Sequence, residues 1–300
     1  MTLHLATSKF LDICSSTEDS PSLKLLGKIA EEFGRIPWEN LTKFIKKHHI
    51  NGQGDTEFSS SESAIITEFP SFDDQCQFTL SQNEFWNCLR LSEEVIEDFV
   101  HHGTGGTCFS LTHALAIIAS DLGFTVFPAM ADMKHGPNIH CALVSIIDGK
   151  RYIVDPGYLI VEPLQLEIGK PVSVELPGHS INYVPVKEMD AFDLYTKNVR
   201  GEKVFRYRIR PTPVTENEFL GHWLASFEAN GMNGLHLNAF SSAGRLSAHN
   251  FNLRIDDGMR KKNVKLKTDY VGKVSTEFGI ERSIVETAFS GWKKLCYRRC

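Results

Sequence analysis

The spacing of apolar residues changes at Gly123, and this change constrains the fold more than any other feature. Before it, residues 108–122 are apolar on nearly every side, which predicts a buried helix that Gly123 is placed to end. After it, the segments 124–130, 139–147 and 151–155 are rich in strand-forming residues, with Asp148-Gly149 as a two-residue hairpin turn. The sequence therefore predicts a buried helix that leads into antiparallel strands.

The other segments are predicted from the same periodicities. Residues 22–47 form two helices that meet at Gly34-Arg35-Ile36-Pro37, residues 51–63 form a polar exposed loop, and Ser92 begins another helix. Further strands are predicted near 182–187, 191–197, 203–210, 235–241, 247–255 and 262–268, and helices over 215–228, 271–278 and 282–294. The order of these elements, with helices first, antiparallel strands next and a mixed segment last, indicates the α+β class.

Composition and charge argue against several classes of protein. The 300 residues are 42% hydrophobic and carry a formal net charge of −5, which disfavours a dedicated nucleic-acid binder. No apolar run is long enough to span a membrane, no secretory signal is evident, and the seven cysteines are scattered. We therefore expect a soluble cytoplasmic protein without a membrane partner. The basic stretch from Arg260 to Lys267 is either a solvated hairpin face or an anchor for an anionic cofactor or carrier protein.

Cys108 is the strongest candidate nucleophile. It follows Gly105-Gly106-Thr107 at the start of the predicted helix, where unpaired N–H groups and the helix dipole lower the pKa of a thiol. The glycines would also let a substrate approach the backbone closely. From this segment alone, Cys108 is either such a nucleophile or a structural cysteine of a buried helix.

The hairpin at Asp148-Gly149 supplies a matching base and acid. If its turn has two residues, Ile147 pairs with Lys150, and the register makes His140 and Asp155 diagonal neighbours on one face. An aspartate beside a histidine fixes the tautomer and stabilises the imidazolium, as Cys–His–acid catalysis requires. A slip of one residue would separate the two side chains, so the prediction depends on the turn.

Other candidates are weaker. Strand alternation turns Cys141 away from His140, which predicts a position in the core. The set His135, His140 and Cys141 lacks the spacing of zinc ligands, so we expect no metal. Cys108, His140 and Asp155 are therefore the predicted catalytic residues.

Four motifs, in order along the chain, resemble the arylamine N-acetyltransferase family. They are Ile36-Pro37-Trp38-Glu39-Asn40-Leu41, Gly105-Gly106-Thr107-Cys108-Phe109, His140, and Tyr152-Ile153-Val154-Asp155-Pro156-Gly157-Tyr158. The family carries P-F-E-N-L, R-G-G-x-C-F, a histidine and V-D-x-G-F in this order. Residues 238–246 and 276–280 also resemble its third domain, so the likeness extends over nearly the whole chain.

The resemblance implies a three-part fold with a core like that of cysteine proteases and transglutaminases. An N-terminal helical bundle, residues 1–122, would carry the nucleophile, and a central antiparallel β-barrel, residues 123–211, would carry the histidine and the aspartate. A C-terminal α/β lid, residues 212–300, would follow, with the triad at the junction of the first two parts.

The resemblance also implies ping-pong acyl transfer. Cys108 would take an acetyl or other acyl group from a thioester such as acetyl-CoA and pass it to an arylamine or a hydrazine, with His140 as general base and Asp155 orienting it. The backbone around Thr107 and Phe109 would form the oxyanion site that receives the donor. The loop that contains Gly136 and Pro137 would line the pocket, as its counterpart does in the family.

The chain departs from the family pattern beside the nucleophile. Thr104 stands where the family has arginine, so the ion pair expected with Glu39 is missing, and Ser110 and Thr112 replace a glutamate and an asparagine. These changes leave donor and acceptor open. The alternatives are an amide synthase with a donor on an acyl carrier protein, a Cys–His–Asp hydrolase or transglutaminase-like enzyme, and a binding protein without activity.

Overall fold

A computed structural model describes residues 3–14, 20–50, 87–176, 179–198, 200–229, 233–242 and 244–297. The polar stretch 51–63, predicted as an exposed loop, lies outside the described residues. Within them, helices come first, antiparallel strands follow and a mixed segment ends the chain, so the α+β class is confirmed. No helix in these ranges has the length and apolar composition that crossing a bilayer requires.

Helices dominate the N-terminal part. They are α1 Leu5–Ile13, α2 Leu23–Phe33, α3 Leu41–Ile50, α4 Ser92–His102 and α5 Cys108–Asp121. The predicted break between α2 and α3 is confirmed, and it contains a short strand, β1 Trp38–Glu39. The sequence does not predict α1, because only Ala6, Thr7 and Phe10 of its nine residues are buried and the helical pattern is weak. Helix α5 is buried along most of its length, as predicted, and packs against α1, α2 and the central sheet.

The central part is an eight-stranded antiparallel sheet in the order β5-β4-β3-β2-β9-β8-β7-β6. Its strands are β2 Thr125–Met133, β3 Gly136–Ile147, β4 Lys150–Asp155, β5 Ile160–Leu166, β6 Val172–Leu176, β7 His179–Pro185, β8 Phe192–Lys197 and β9 Lys203–Ile209. The sequence misses β5 and β6. These two edge strands follow each other along the chain, and a bridge between Glu167 and Lys170 joins them, so the sheet nearly closes into a barrel. Apolar side chains such as Val144, Leu194 and Ile209 fill its interior.

The predicted hairpin register is confirmed. Ile147 pairs with Lys150, and the pairing continues in the same register to Leu143 and Val154. Gly149 has a φ of 71°, a left-handed conformation that suits the second residue of such a turn. The strand β4 ends at Asp155, and the following residues Pro156–Tyr158 form a single 3₁₀ turn.

The C-terminal part contains a second antiparallel sheet in the order β1-β10-β11-β12-β13. Its elements are α6 Glu216–Ala225, β10 His236–Ser241, β11 Gly244–His249, β12 Asn252–Asp256, β13 Lys261–Lys265, α7 Tyr270–Phe278 and α8 Arg282–Tyr297. The single strand predicted over 247–255 is wrong, because Asn250 takes a left-handed conformation (φ 49°) and turns the chain between β11 and β12.

The division of the chain at residues 122 and 211 stays a prediction. Strand β1, from the N-terminal part, pairs with β10 of the C-terminal part. Leu41 and Phe44 of α3 likewise belong to the same hydrophobic cluster as Leu237 and Trp292. The first and last parts therefore share a core.

Candidate active site

Helix α5 begins at Cys108, as predicted, and carries the thiol on its first residue. Thr107 precedes it in an extended conformation, and its side chain caps none of the first-turn N–H groups. The Cys108 side chain is buried, with 8% of its surface exposed, and it lines a cavity of about 800 Å³. The thiol thus lies at the positive end of the helix dipole, where negative charge is favoured.

The glycines before Cys108 lie against neighbouring protein atoms. A side chain on Gly105 would place its Cβ 1.8 Å from the carbonyl oxygen of Pro37, and one on Gly106 would lie 2.2 Å from Oγ of Ser110. The N–H of Glu39 donates to the carbonyl of Gly106 at 2.9 Å. The glycines therefore fix the start of α5 against β1.

His140 and Asp155 are in contact, as the hairpin register predicts. Nε2 of His140 lies 2.8 Å from Oδ2 of Asp155, and both side chains are buried. The N–H of Tyr158 donates to Oδ1 of the same carboxylate at 3.0 Å, because Asp155 caps the 3₁₀ turn. Because Nε2 of His140 is hydrogen-bonded to Asp155, the other imidazole nitrogen, Nδ1, is available on the side of Cys108.

Two tyrosines that no sequence motif marks complete the surroundings of Asp155. The hydroxyl of Tyr207 donates to Oδ2 of Asp155 at 2.5 Å, and it lies 2.5 Å from the hydroxyl of Tyr183. The ring of Tyr207 also packs on the imidazole of His140, with 4.6 Å between ring centroids. Asp155 therefore accepts hydrogen bonds from a histidine, a tyrosine and the backbone, and its orientation is fixed from several sides.

Gly157 shows how closely the three predicted residues approach one another. A Cβ at this position would lie 2.8 Å from Cβ of Cys108, 2.8 Å from Cε1 of His140 and 3.2 Å from Oδ1 of Asp155. All three distances are shorter than ordinary van der Waals contacts. The glycine of the Asp155-Pro156-Gly157 segment thus leaves the space in which the nucleophile, base and acid meet.

The charges of this group favour a thiolate and an imidazolium. Burial disfavours the charged form of His140, but the charges of Asp155 and Cys108 outweigh burial and raise its pKa to about 10. A hydrogen bond with Cys141 lowers the pKa of Cys108, burial raises it, and the charge of His140 lowers it again. The net result is a Cys108 pKa well below its ordinary value, which favours the thiolate.

Cys141 lies closer to the nucleophile than predicted. It is fully buried, in the same hydrophobic cluster as Cys108 and Phe109, so the predicted core position is confirmed. Its thiol also makes a hydrogen bond with Cys108, and burial together with this contact holds the pKa of Cys141 well above its ordinary value. Cys141 does face away from His140, as strand alternation predicts. Helix α5 packs on that outer face of β3, so Cys108, its first residue, lies beside Cys141. Cys141 therefore acts as a neutral donor towards the Cys108 thiolate.

The cavity beside Cys108 combines apolar and cationic walls. Trp38, Phe109, Met133, Ile139 and Tyr158 provide the apolar side chains. The cationic side chains are Lys43, Lys197, Arg206, Arg245, Arg254 and Lys261, and Asp256 is an acid among the lining residues. No group of three potential metal ligands occurs among the described residues.

The sequence profile of one protein family, the N-acetyltransferases, matches residues 88–283. This chain belongs to the N-acetyltransferase family. Arylamine N-acetyltransferase 2 of Mus musculus is 28% identical to it over an aligned part that covers 46% of this chain and 56% of the mouse protein. The alignment thus spans little more than half the length of that relative.

Solved structures of arylamine N-acetyltransferases share the fold of the part of the chain that the structure describes. The arylamine N-acetyltransferase of Mycobacterium marinum superposes with a TM-score of 0.71 at 17% identity, and the comparison covers 97% of this chain and 99% of that one. The same enzyme in complex with CoA gives a TM-score of 0.68 at 17% identity, covering 94% and 97%. The resemblance to arylamine N-acetyltransferases, predicted from four motifs, is confirmed.

The family motif has an arginine at the position of Thr104. In this N-acetyltransferase, Arg90 brings a positive charge beside that position. Its guanidinium is buried, donates to the carbonyl of Gly105 at 3.0 Å and pairs with Asp98 at 2.7 Å. Burial acts to lower the pKa of Arg90, but the charges of Glu94, Asp98 and Glu39 outweigh it and raise this pKa. Glu39 is not left without partners, because the hydroxyl and the N–H of Thr42 donate to its carboxylate at 2.6 Å and 3.0 Å.

The residues predicted to contact the donor fall into two groups. Thr107 and Phe109 line the cavity beside Cys108. Gly136 and Pro137 belong to the start of β3 instead of a loop, and the described lining of the cavity includes Ile139 rather than either of them. Strand β3 starts early because Asp132 accepts the N–H of Asn138 at 3.0 Å and so holds this end of the hairpin together.

Proposed function

We propose that this chain transfers an acyl group, acetyl in the first instance, from a thioester such as acetyl-CoA to an amine through an acyl-Cys108 intermediate. The observation that carries the proposal is the buried contact of Cys108, His140 and Asp155 around Gly157, at the wall of a cavity. Membership of the N-acetyltransferase family gives the reaction class. Similarity to arylamine N-acetyltransferases, one of them in complex with CoA, suggests an arylamine as acceptor and acetyl-CoA as donor.

In the first half-reaction, the Cys108 thiolate attacks the carbonyl carbon of the thioester. The N–H groups at the start of α5, around Thr107 and Phe109, point towards the developing oxyanion and stabilise it together with the helix dipole. The imidazolium of His140 gives its proton to the departing thiolate of the donor. Cys108 is then acylated and His140 is neutral.

In the second half-reaction, an amine attacks the acyl-Cys108 carbonyl. His140 takes a proton from the attacking nitrogen, and Asp155 stabilises the imidazolium that forms. Collapse of the tetrahedral intermediate releases the amide and restores the thiolate–imidazolium pair. Since the thiol must stay reduced for this cycle, we place the enzyme in the cytoplasm.

The cationic cavity wall supports an anionic donor such as acetyl-CoA. Side chains of Lys197 and Lys261 are 53% and 43% exposed, so they lie towards solvent, where phosphate groups can remain partly hydrated. The similarity to known proteins gives no support for an acyl carrier protein as donor. The remaining alternative is a hydrolase, and the following experiment distinguishes it from an acyltransferase.

Initial rates with acetyl-CoA and aniline, varied together, test this proposal. Ping-pong transfer gives parallel double-reciprocal lines, and Cys108→Ala abolishes turnover. The matched control is Cys88→Ala, because Cys88 is buried in the same cluster but does not line the cavity. Consumption of acetyl-CoA at a rate independent of aniline would instead identify a hydrolase.

A further inference from the structure

Cys108 and Cys141 form a pair of thiols at the junction of α5 and β3. Both side chains are buried in one hydrophobic cluster, and the two thiols share a hydrogen bond. Acyl transfer uses only the sulfur of Cys108 as a nucleophile. A bond between the two sulfurs is therefore a separate reaction that the same pair can undergo.

Contacts of the backbone hold the two cysteines side by side. The hydroxyl of Thr112, about one helical turn after Cys108, donates to the carbonyl of Cys141 at 3.4 Å. Cys141 is in turn fixed within the sheet, where it pairs with Met130 of β2. The first turn of α5 is thus anchored to β3 at Cys141, so the two thiols meet without an opening of the core.

The two thiols differ in access and in charge. Cys108 lines the cavity and has 8% of its surface exposed, whereas Cys141 has none exposed and lies outside the described lining of the cavity. The hydrogen bond with Cys141 and the charge of His140 lower the pKa of Cys108 against the effect of burial. Because oxidation follows thiolate character and exposure, an oxidant that enters the cavity reacts with Cys108 and not with Cys141.

We propose that Cys108 and Cys141 are a site of reversible oxidation, at which a peroxide oxidises Cys108 and Cys141 then forms a disulfide with it. The Cys108 thiolate attacks one oxygen of hydrogen peroxide, so an S–O bond forms and the O–O bond breaks. The departing hydroxide takes a proton from the His140 imidazolium and leaves as water. Cys108 is then a sulfenic acid. The sulfur of Cys141 attacks the sulfur of Cys108, and the Cys141 proton joins the departing hydroxide as a second water.

Oxidation of Cys108 itself makes Cys141 more reactive. Burial, the hydrogen bond with Cys108 and the negative charge of Cys108 raise the pKa of Cys141 in the reduced protein. A sulfenic acid carries no charge, so the effect of the Cys108 charge disappears once that residue is oxidised, and the pKa of Cys141 falls. Cys141 is therefore inert while Cys108 is a thiolate and becomes a nucleophile after Cys108 is oxidised.

The disulfide stops acyl transfer and preserves the nucleophile. Cys108 bonded to another sulfur cannot attack a thioester, and it is also protected from further oxidation to sulfinic acid, which thiols do not reverse. A dithiol such as dithiothreitol reduces the disulfide by exchange and restores the thiolate. This oxidation uses neither an acyl donor nor an acceptor, so it goes beyond the proposed function.

The test treats the full chain with hydrogen peroxide, blocks the remaining thiols with N-ethylmaleimide and maps the peptides without a reductant. We expect the wild-type protein to yield the peptides of Cys108 and Cys141 joined by a disulfide, and dithiothreitol to separate them. In Cys141→Ala and Cys141→Ser no such link forms, and Cys108 proceeds to sulfinic acid. Cys88→Ala is the matched control and should give the wild-type pattern, because Cys88 is buried in the same cluster outside the described lining of the cavity.

The variants are compared at equal extents of Cys108 oxidation, since loss of Cys141 also raises the pKa of Cys108 and slows the first step. Dithiothreitol should restore acyl transfer to nearly the untreated rate in the wild type and leave it lost in Cys141→Ser, each relative to its own untreated protein. The peptide map needs no activity, so it tests the disulfide even if no acyl transfer is found. A wild-type Cys108 that is recovered as sulfinic acid, or in a disulfide with a cysteine other than Cys141, overturns the inference.

Discussion

The hydroxyl of Tyr207 donates to Oδ2 of Asp155, the oxygen that also receives the imidazole of His140. Tyr207 lies on β9 and Asp155 ends β4, and in the sheet these strands are separated by β3 and β2. The hydrogen bond therefore crosses the interior of the barrel, and Tyr183 on β7 extends it. Closure of the barrel thus fixes the acid of the triad from the far wall, within a buried network whose members depend on one another.

Tyr207→Phe removes this hydrogen bond while it keeps the ring. We expect the rate of acyl transfer to fall roughly tenfold, which corresponds to about 1.4 kcal/mol, the contribution of one hydrogen bond to a charged group. Because Tyr207 acts through Asp155 and His140, the pH profile of the rate should shift as well. Tyr195→Phe is the control, since Tyr195 packs on Phe205 away from the triad. An unchanged rate and pH profile would contradict a positioning role for Tyr207.

Gly157→Ala places a methyl group among the three triad side chains. The added Cβ would lie 2.8 Å from Cys108 and from His140, so one of them must move. We expect loss of acyl transfer by at least about a hundredfold, because small displacements of reacting groups are costly. Gly27→Ala, in helix α2, is the control, since its nearest neighbour, Cδ of Pro163, is 3.9 Å away. A Gly157→Ala variant that keeps the wild-type rate would show that the space at Gly157 is not needed for the reaction.

Arg90→Met removes a buried charge that stabilises the segment before Cys108. The guanidinium pairs with Asp98 and donates to the carbonyl of Gly105, so its loss leaves buried acceptors without a donor. We expect the free energy of unfolding to fall by about 3 kcal/mol, measured by urea denaturation. Arg35→Met, which removes an exposed pair with Glu32, should change it by less than about 0.5 kcal/mol. Similar losses in the free energy of unfolding for the two substitutions would show that Arg90 does not stabilise the fold through these buried contacts.

Alkylation of Cys108 by iodoacetamide should depend on pH in a way that identifies its neighbours. The thiolate reacts and the thiol does not, so a lowered pKa keeps alkylation fast at pH values where ordinary cysteines are protonated. Cys141→Ala and His140→Gln both remove interactions that lower the pKa of Cys108. We expect the midpoint of the rate profile to move to higher pH in each. A midpoint near the ordinary value of a cysteine in the wild-type protein would contradict the thiolate–imidazolium pair.

Local sequence signals predict the parts of the site that are close in sequence. Asp148-Gly149 determines the hairpin register, and the register brings together His140 and Asp155, which are 15 residues apart. The start of α5 at Cys108 follows from the glycines that break the preceding helix and from the apolar run after them. In both cases, the relevant geometry is determined by a turn and the residues beside it.

Contacts between distant segments could not be predicted in this way. Tyr207 is 52 residues from Asp155, and it reaches the carboxylate because the strand order closes the barrel. Arg90 donates to the carbonyl of Gly105 from a segment ahead of α4, where no motif marks it. Lys43 enters the cavity because α3 packs with the C-terminal sheet. Such contacts depend on strand order and helix packing, which periodicity along the chain does not encode.

Intact-protein mass spectrometry after mixing with acetyl-CoA, without an acceptor, shows whether Cys108 itself carries the acyl group. We expect the wild-type protein to gain the mass of one acetyl group and Cys108→Ala to gain none, and we expect an added arylamine or hydrazine to discharge the adduct. A wild-type protein that stays unmodified while the acetyl group of acetyl-CoA still reaches the amine would contradict an acyl-Cys108 intermediate.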